Sequence, residues 1–175
     1  IMMVATTSYA FSKWLSPKSI YTIQLTKRGD VITHHKDQAM LAMMTIEKEI
    51  ERNFDPIDLN STLKELVVVI SNSHRNIFPV IDENKIFYGI IILDQIRDIM
   101  FKPELYDSTM VRSLMFMPSQ TIDVNDDDME SVATKFQHSG KYNLVVLDGD
   151  KYVGFVSRAN VFSHYREILK DLSEE

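Results

Sequence analysis

The side chains best suited to chemistry in this chain are its clustered acids and its histidines. Asp126-Asp127-Asp128 with Glu130 invites a metal reading. Successive carboxylates point in different directions, however, and a calcium loop needs alternate ligands and a turn glycine that this run lacks. Its expected role is to cap a helix, where acids meet the positive end of the helix dipole. His34 and His35 are adjacent, not at the i, i+4 spacing that puts two imidazoles on one helical face, so no zinc site is expected. His138 and His164 stand alone and read as surface or packing residues. No Gly-x-Ser-x-Gly elbow, Walker loop or dinucleotide fingerprint is present, and five glycines leave little material for a phosphate cradle. The chain is not expected to be an enzyme, and no metal is expected.

Composition narrows the partners. The net charge of −6 and the pI near 5.4 argue against nucleic acid, because phosphate contacts need clustered Lys and Arg and here the cations are scattered among more numerous acids. With no cysteine there is neither a disulfide framework nor a thiolate metal site, which fits a reducing compartment. The 175 residues, 45% of them hydrophobic, suit one compact domain or a pair of half-size units. No run of apolar residues reaches the ~18 needed to read as a membrane span. Ile1 to Leu15 is apolar but lacks the basic lead and cleavage site of a signal peptide, and reads as a segment cut at its left edge.

Elements emerge from caps and periodicity. Ser16-Pro17 opens a helix expected to run to about Arg28, with Gly29 as its left-handed stop and Lys27 and Arg28 at the end where the dipole favours cations. From Asp30 to Glu51 the pattern predicts a loop and then a short helix that leads toward Ile57, with Met40, Met43 and Met44 as core filling.

From Ile57 onward the chain repeats itself. Ile57-Asp58-Leu59-Asn60 returns as Ile122-Asp123-Val124-Asn125, and the helical faces Leu63/Leu66/Val67/Ile70 and Met129/Val132/Ala133/Phe136 coincide at a shift of 66 residues. Pro79-Val80-Ile81-Asp82 matches Val145-Val146-Leu147-Asp148, and Gly89-Ile90-Ile91 matches Gly154-Phe155-Val156. Each copy predicts strand, helix, strand, hairpin, strand, helix. In the first these are Ile57 to Leu59, Thr62 to Asn72, Ile77 to Ile81, a turn near Asp82 to Lys85, Ile86 to Leu93, and a helix to Phe101. In the second they are Ile122 to Val124, Asp127 to Ser139 stopped by Gly140, Asn143 to Leu147, Tyr152 to Ser157 and about Arg158 to Leu172. Thr62 with Glu65 has the capping-box form, and Asp127 with Glu130 repeats it. Each unit of about 55 residues is too small to bury a good core alone, so the two are expected to share an interior. A tandem of small α/β units with a cleft between them fits a sensor better than a catalyst.

This tandem unit, with glycine and two apolar residues after each hairpin, resembles the CBS domain pair over Met43 to Leu172. The segment before it, Pro17-Lys18-Ser19-Ile20-Tyr21-Thr22-Ile23-Gln24-Leu25-Thr26-Lys27-Arg28-Gly29 followed by Ile32-Thr33-His34-His35, resembles the last membrane helix and exit linker of CLC chloride channels and transporters. The resemblance implies an α/β (α+β) fold: residues 1–29 end the transmembrane region, 30–42 form a linker, 43–102 the first CBS domain and 103–175 the second. It further implies that the chain's first residues are the tail of a preceding membrane helix. Tyr21 falls on the family's helix tyrosine, whose hydroxyl contributes to the central chloride site. A phenol can donate one hydrogen bond to an anion without adding a trapping charge. The family's gating glutamate and proton-transfer residue lie upstream of residue 1, so channel and proton-coupled exchanger stay undivided.

CBS pairs in many proteins bind adenosine ligands between the repeats, with Ser or Thr three residues after the strand glycine and an Asp three further on holding the ribose. The equivalents here are Ser157 and Asn160 in the second repeat, and Ile92 and Gln95 in the first. Both aspartates are missing, and an amide offers a neutral acceptor where a charged one would bind roughly twice as strongly. Ser157 and Asn160 make the better half-site, with Tyr142 or Phe78 as candidates to pack near a base and His74-Arg75 as a pair able to meet a phosphate. The sequence thus points to the cytoplasmic regulatory region of a multi-pass CLC-type membrane protein, expected as a homodimer that couples its cleft and dimer state to chloride passage through its own membrane domain. Chloride, and an adenine nucleotide (AMP, ADP or ATP) if one binds, are its expected ligands. The other reading is a soluble adenine-nucleotide-sensing CBS module unrelated to ion transport.

Overall fold

The computed structural model describes residues 38–173. The segment with Tyr21, the helix expected from Ser16 and the His34-His35 pair lie outside the described residues. No helix among the described residues is long and apolar enough to cross a membrane.

Two βαββα lobes build the body. A short helix α1 (Ile46–Glu49) leads into strand β1 (Ile50–Glu51). The first lobe holds β2 (Ile57–Asp58), α2 (Leu63–Asn72), β3 (Ile77–Ile81), β4 (Phe87–Ile92) and α3 (Leu93–Ile96). The second holds β5 (Thr121–Asp123), α4 (Met129–Ser139), β6 (Asn143–Asp148), β7 (Lys151–Ser157) and α5 (Arg158–Ser173). In each lobe the helix crosses between parallel strands, β2 with β3 and β5 with β6, and a hairpin adds the antiparallel third strand. Both hairpins shift register at the same place, between Val80 and Ile81 and between Val146 and Leu147.

The capping box forms at Thr62: Glu65 N–H donates to Thr62 Oγ1 at 3.4 Å, and the Thr62 amide donates to Glu65 Oε2 at 2.7 Å. These bonds satisfy amides that have no partner within the helix, and the bond from the Thr62 backbone holds the Glu65 carboxyl below its usual range. The second lobe departs from the expected cap by one residue. Asp128, not Asp127, is the N-cap, accepting from Ser131 N–H at 2.8 Å. At the far end Gly140 takes the left-handed conformation (φ 62°) that stops α4. The helix expected to run to Phe101 ends at Ile96 and gives way to turns.

The lobes exchange strands. β1 precedes the first lobe in the chain, yet it pairs antiparallel with β7 of the second, Ile50 opposite Val156 and Glu51 opposite Phe155. Reciprocally, Phe116 precedes the second lobe and bridges Ile90 of the first, with N–H···O bonds of 2.9 and 3.0 Å. The hairpin tips also join: Phe87 N–H donates to Asp150 O and Tyr152 N–H to Lys85 O, both at 2.9 Å. A division at residue 102 is therefore crossed by hydrogen bonds in both directions.

Among the described residues, three apolar clusters fill the interior. One sits inside the first lobe around Leu63, Leu66, Phe78 and Ile91, and one inside the second around Ile122, Val132, Phe136 and Val146. The third, with Phe54, Phe87, Ile90, Val145 and Phe155, lies between them and is the shared interior that two undersized units require. Met44 is buried in the second lobe's cluster, whereas Met43 is 63% exposed and fills no core.

Candidate functional site

The approximate twofold relation between the lobes generates two clefts from equivalent residues. In the leading strands the correspondence is Glu51 with Phe116 and Phe54 with Ser119; after the helices it is Arg75 with Lys141; at the strand ends it is Ile92 with Ser157 and Gln95 with Asn160. Side chains at these positions make the two clefts unlike.

Around Ser157 and Asn160 the protein supplies its own contents. Ser157 ends β7 and Asn160 lies in the first turn of α5. Asn160 Nδ2 donates to Glu51 Oε1 at 2.9 Å, and Arg75 Nη2 donates to Glu51 Oε2 at 2.8 Å. Arg75 also donates to the Asn53 side-chain oxygen. Its guanidinium stands 4.2 Å from the centre of the Phe54 ring, which in turn lies 4.2 Å from the Phe155 ring. Phe54 is only 5% exposed. Burying such a ring is worth about 1.5–3 kcal/mol, and aromatic and cation–π contacts of this kind add roughly 0.5–1.5 kcal/mol each. Arg75, expected as a cation able to meet a phosphate, is neutralised by Glu51.

The opposite cleft is an open cavity of about 460 Å³. Its apolar wall includes Ile77, Ile90, Ile92, Phe116 and Phe155; Ser119, Ser139, Lys141 and Asn143 supply polar groups, and no carboxylate is among the described residues that line it. Tyr142, 78% exposed, stands at its edge, in the cleft opposite the Ser157 and Asn160 half-site with which the sequence groups it. Phe78 cannot pack near a base: it is fully buried in the first lobe's own core. Ser157 and Asn160 are not among the residues lining this cavity.

Asp127 and His164 have structural partners. Asp127 turns inward, accepting from Lys135 Nζ at 2.5 Å, Ser131 Oγ at 2.5 Å and the Asp123 amide at 2.8 Å. Burial pushes its pKa up, but these bonds outweigh it and hold the carboxyl below its ordinary value. Among the described residues no group of three His, Asp or Glu side chains is placed to hold a metal ion. His164 is not alone: its Nδ1 lies 2.5 Å from Oε1 of Glu49, a carboxylate with a side chain only 4% exposed. Tyr152 carries a buried hydroxyl with no hydrogen-bond partner among the described residues, and burial raises its pKa far above the usual phenol value.

Comparison with known proteins agrees with the fold. Residues 111–167 match the CBS domain family model, and no protein of curated function matches the chain. Among solved structures, the chain is similar to the CBS domain of the bacterial CNNM/CorC family Mg2+ transporter in complex with ATP, at 15% identity and TM-score 0.63, covering 75% of this chain and 93% of that one. It is similar to CbpB in complex with c-di-AMP, at 14% identity and TM-score 0.66 over 80% of this chain and 96% of that one. A third likeness is to the CBS domain of a CBS domain containing membrane protein from Sphaerobacter thermophilus, at 18% identity and TM-score 0.59 over 76% and 96%. The mixed α/β fold is that of a CBS domain pair.

Proposed function

We propose that this chain is the regulatory CBS pair of a CLC-type chloride channel or transporter, and that it passes a change in its inter-repeat clefts to the chloride pathway along the segment entering β1. The observation that carries this reading is the placement of β1. The chain arriving from residues 38–49 is hydrogen bonded into the second lobe's sheet, and its Glu51 is tied to Arg75 of the first lobe. A shift between lobes therefore acts directly on the polypeptide that leads back toward Tyr21. A ligand biases such a shift only through different affinity for the two states.

The link to chloride rests on the residue pattern from Pro17 to Gly29 and from Ile32 to His35. In this reading the protein is a homodimer in the cell membrane with the CBS pair on the cytoplasmic side, and Tyr21 donates its hydroxyl to chloride. Anion flux through the intact protein in proteoliposomes tests it. Tyr21→Phe is expected to change chloride affinity or selectivity against other anions; an unchanged profile refutes the chloride role.

The second reading, a soluble adenine-nucleotide sensor unrelated to transport, is favoured by the open cavity and by the nucleotides held in two of the similar structures. Nucleotide binding with no effect of any ligand on anion flux in the intact protein would select it.

A further inference from the structure

Building on the reading that an inter-repeat cleft takes a regulatory ligand, we infer that the two clefts are unequal: the one at Lys141 takes a single organic anion of mononucleotide size without reading a ribose diol, while the one at Asn160 is closed by the protein's own side chains. The molecule carries its own control, since both clefts are built on the same scaffold. Each has a cation at the corresponding position, Arg75 in one and Lys141 in the other. Arg75 is neutralised by Glu51 at 2.8 Å, but the position of Glu51 is occupied by Phe116 in the second cleft, and Lys141 has no ion pair among the described residues. Phe54 fills the first cleft; Ser119 stands at its place in the second and leaves room.

The open cleft therefore offers an unneutralised ammonium at an edge free of carboxylates, an apolar wall suited to a flat body, and an exposed Tyr142 able to stack on it. Its volume of about 460 Å³ lies in the range of roughly 300–1,000 Å³ typical of small-molecule sites. What it lacks is equally specific. A vicinal diol is held strongly by a carboxylate that accepts from both hydroxyls, and here the strand end presents Ile92, with Gln95 in the adjoining turn of α3. Affinity must come from the anionic group and the flat apolar body.

Calorimetry of the chain with AMP, 2′-deoxy-AMP and adenosine tests this. One AMP is expected per chain, with 2′-deoxy-AMP within about twofold in Kd and adenosine weaker by about tenfold, the cost of losing a charge-assisted contact. Lys141→Ala should lose about tenfold toward AMP with an unchanged melting temperature, because the side chain is exposed. Asn160→Ala should leave Kd unaltered. A 2′-deoxy-AMP affinity about tenfold below that of AMP, two sites per chain, an unaffected Lys141→Ala, or loss of binding in Asn160→Ala overturns the inference and leaves the ligand reading intact. No binding of AMP, ADP, ATP or 2′-deoxy-AMP overturns both.

Discussion

Gly154 lies so close beneath the carbonyl oxygen of Glu51 that a β-carbon built on it would stand 2.6 Å away. Gly89 stands in the same relation to Phe116, at 2.8 Å. The glycine that marks each repeat in the sequence is thus the place where the other repeat's leading strand is admitted. Because the obstacle is backbone, relief requires the strand to move. Gly154→Ala is expected to cost about 1–3 kcal/mol, the range for overpacking, read by urea denaturation. Under the proposed coupling to chloride transport, it should also weaken the response of anion flux to a cleft ligand while leaving flux itself in place.

Arg75 holds Glu51, Asn53 and the Phe54 ring together. Arg75→Ala leaves a partly buried Glu51 with only Asn160, and the expected loss is about 1–3 kcal/mol, below the roughly 3–5 kcal/mol of a fully buried pair. Asn160→Ala, which removes an exposed contact, should cost under about 1 kcal/mol. Equal losses for the two variants would contradict the central place given to Arg75.

Stability should depend on Asp127 in a defined direction. Its folded-state pKa is lowered despite burial, through Lys135, Ser131 and the Asp123 amide. The contribution is therefore present above the ordinary carboxylate range and is lost as pH falls through the depressed folded value. Melting temperatures of wild type and Asp127→Asn should differ at neutral pH and converge in strong acid; a gap that persists there would assign the effect to packing.

Tyr152 buries a hydroxyl that has no partner among the described residues, between Phe87 and Phe155. Removing it avoids a desolvation cost of about 1–3 kcal/mol. Tyr152→Phe is expected to be at least as stable as wild type in chemical denaturation; a clear loss would mean that the hydroxyl finds a bond in solution.

Much of the fold was legible because its signals are local. The apolar strand Ile77–Ile81, the Thr62 capping box and the Gly140 stop each depend on neighbours within a few residues. The sequence pattern puts the second cap one residue early because three aspartates in a row offer equivalent side chains, and contacts with Lys135, Ser131 and the Asp123 amide draw Asp127 inward and leave Asp128 as the cap. The site was less legible, for a reason of distance along the chain. Asn160 meets Glu51 across 109 residues and His164 meets Glu49 across 115. Nothing in the local pattern at Glu49 to Phe54 announces that this stretch joins the far repeat. The contrast of Phe54 with Ser119 was available in the aligned repeats, and it gained meaning only once strand exchange had put both residues in clefts.

Duplication usually makes two sockets, and here Phe54 turns one into a strut. The two lobes remain pinned where the Phe87 and Tyr152 amides cross to the opposite hairpin tip, and the ring of Phe54 props one flank apart at fixed width. The flank beside Ser119 has no such prop, so a near-symmetric molecule carries its free space on one side.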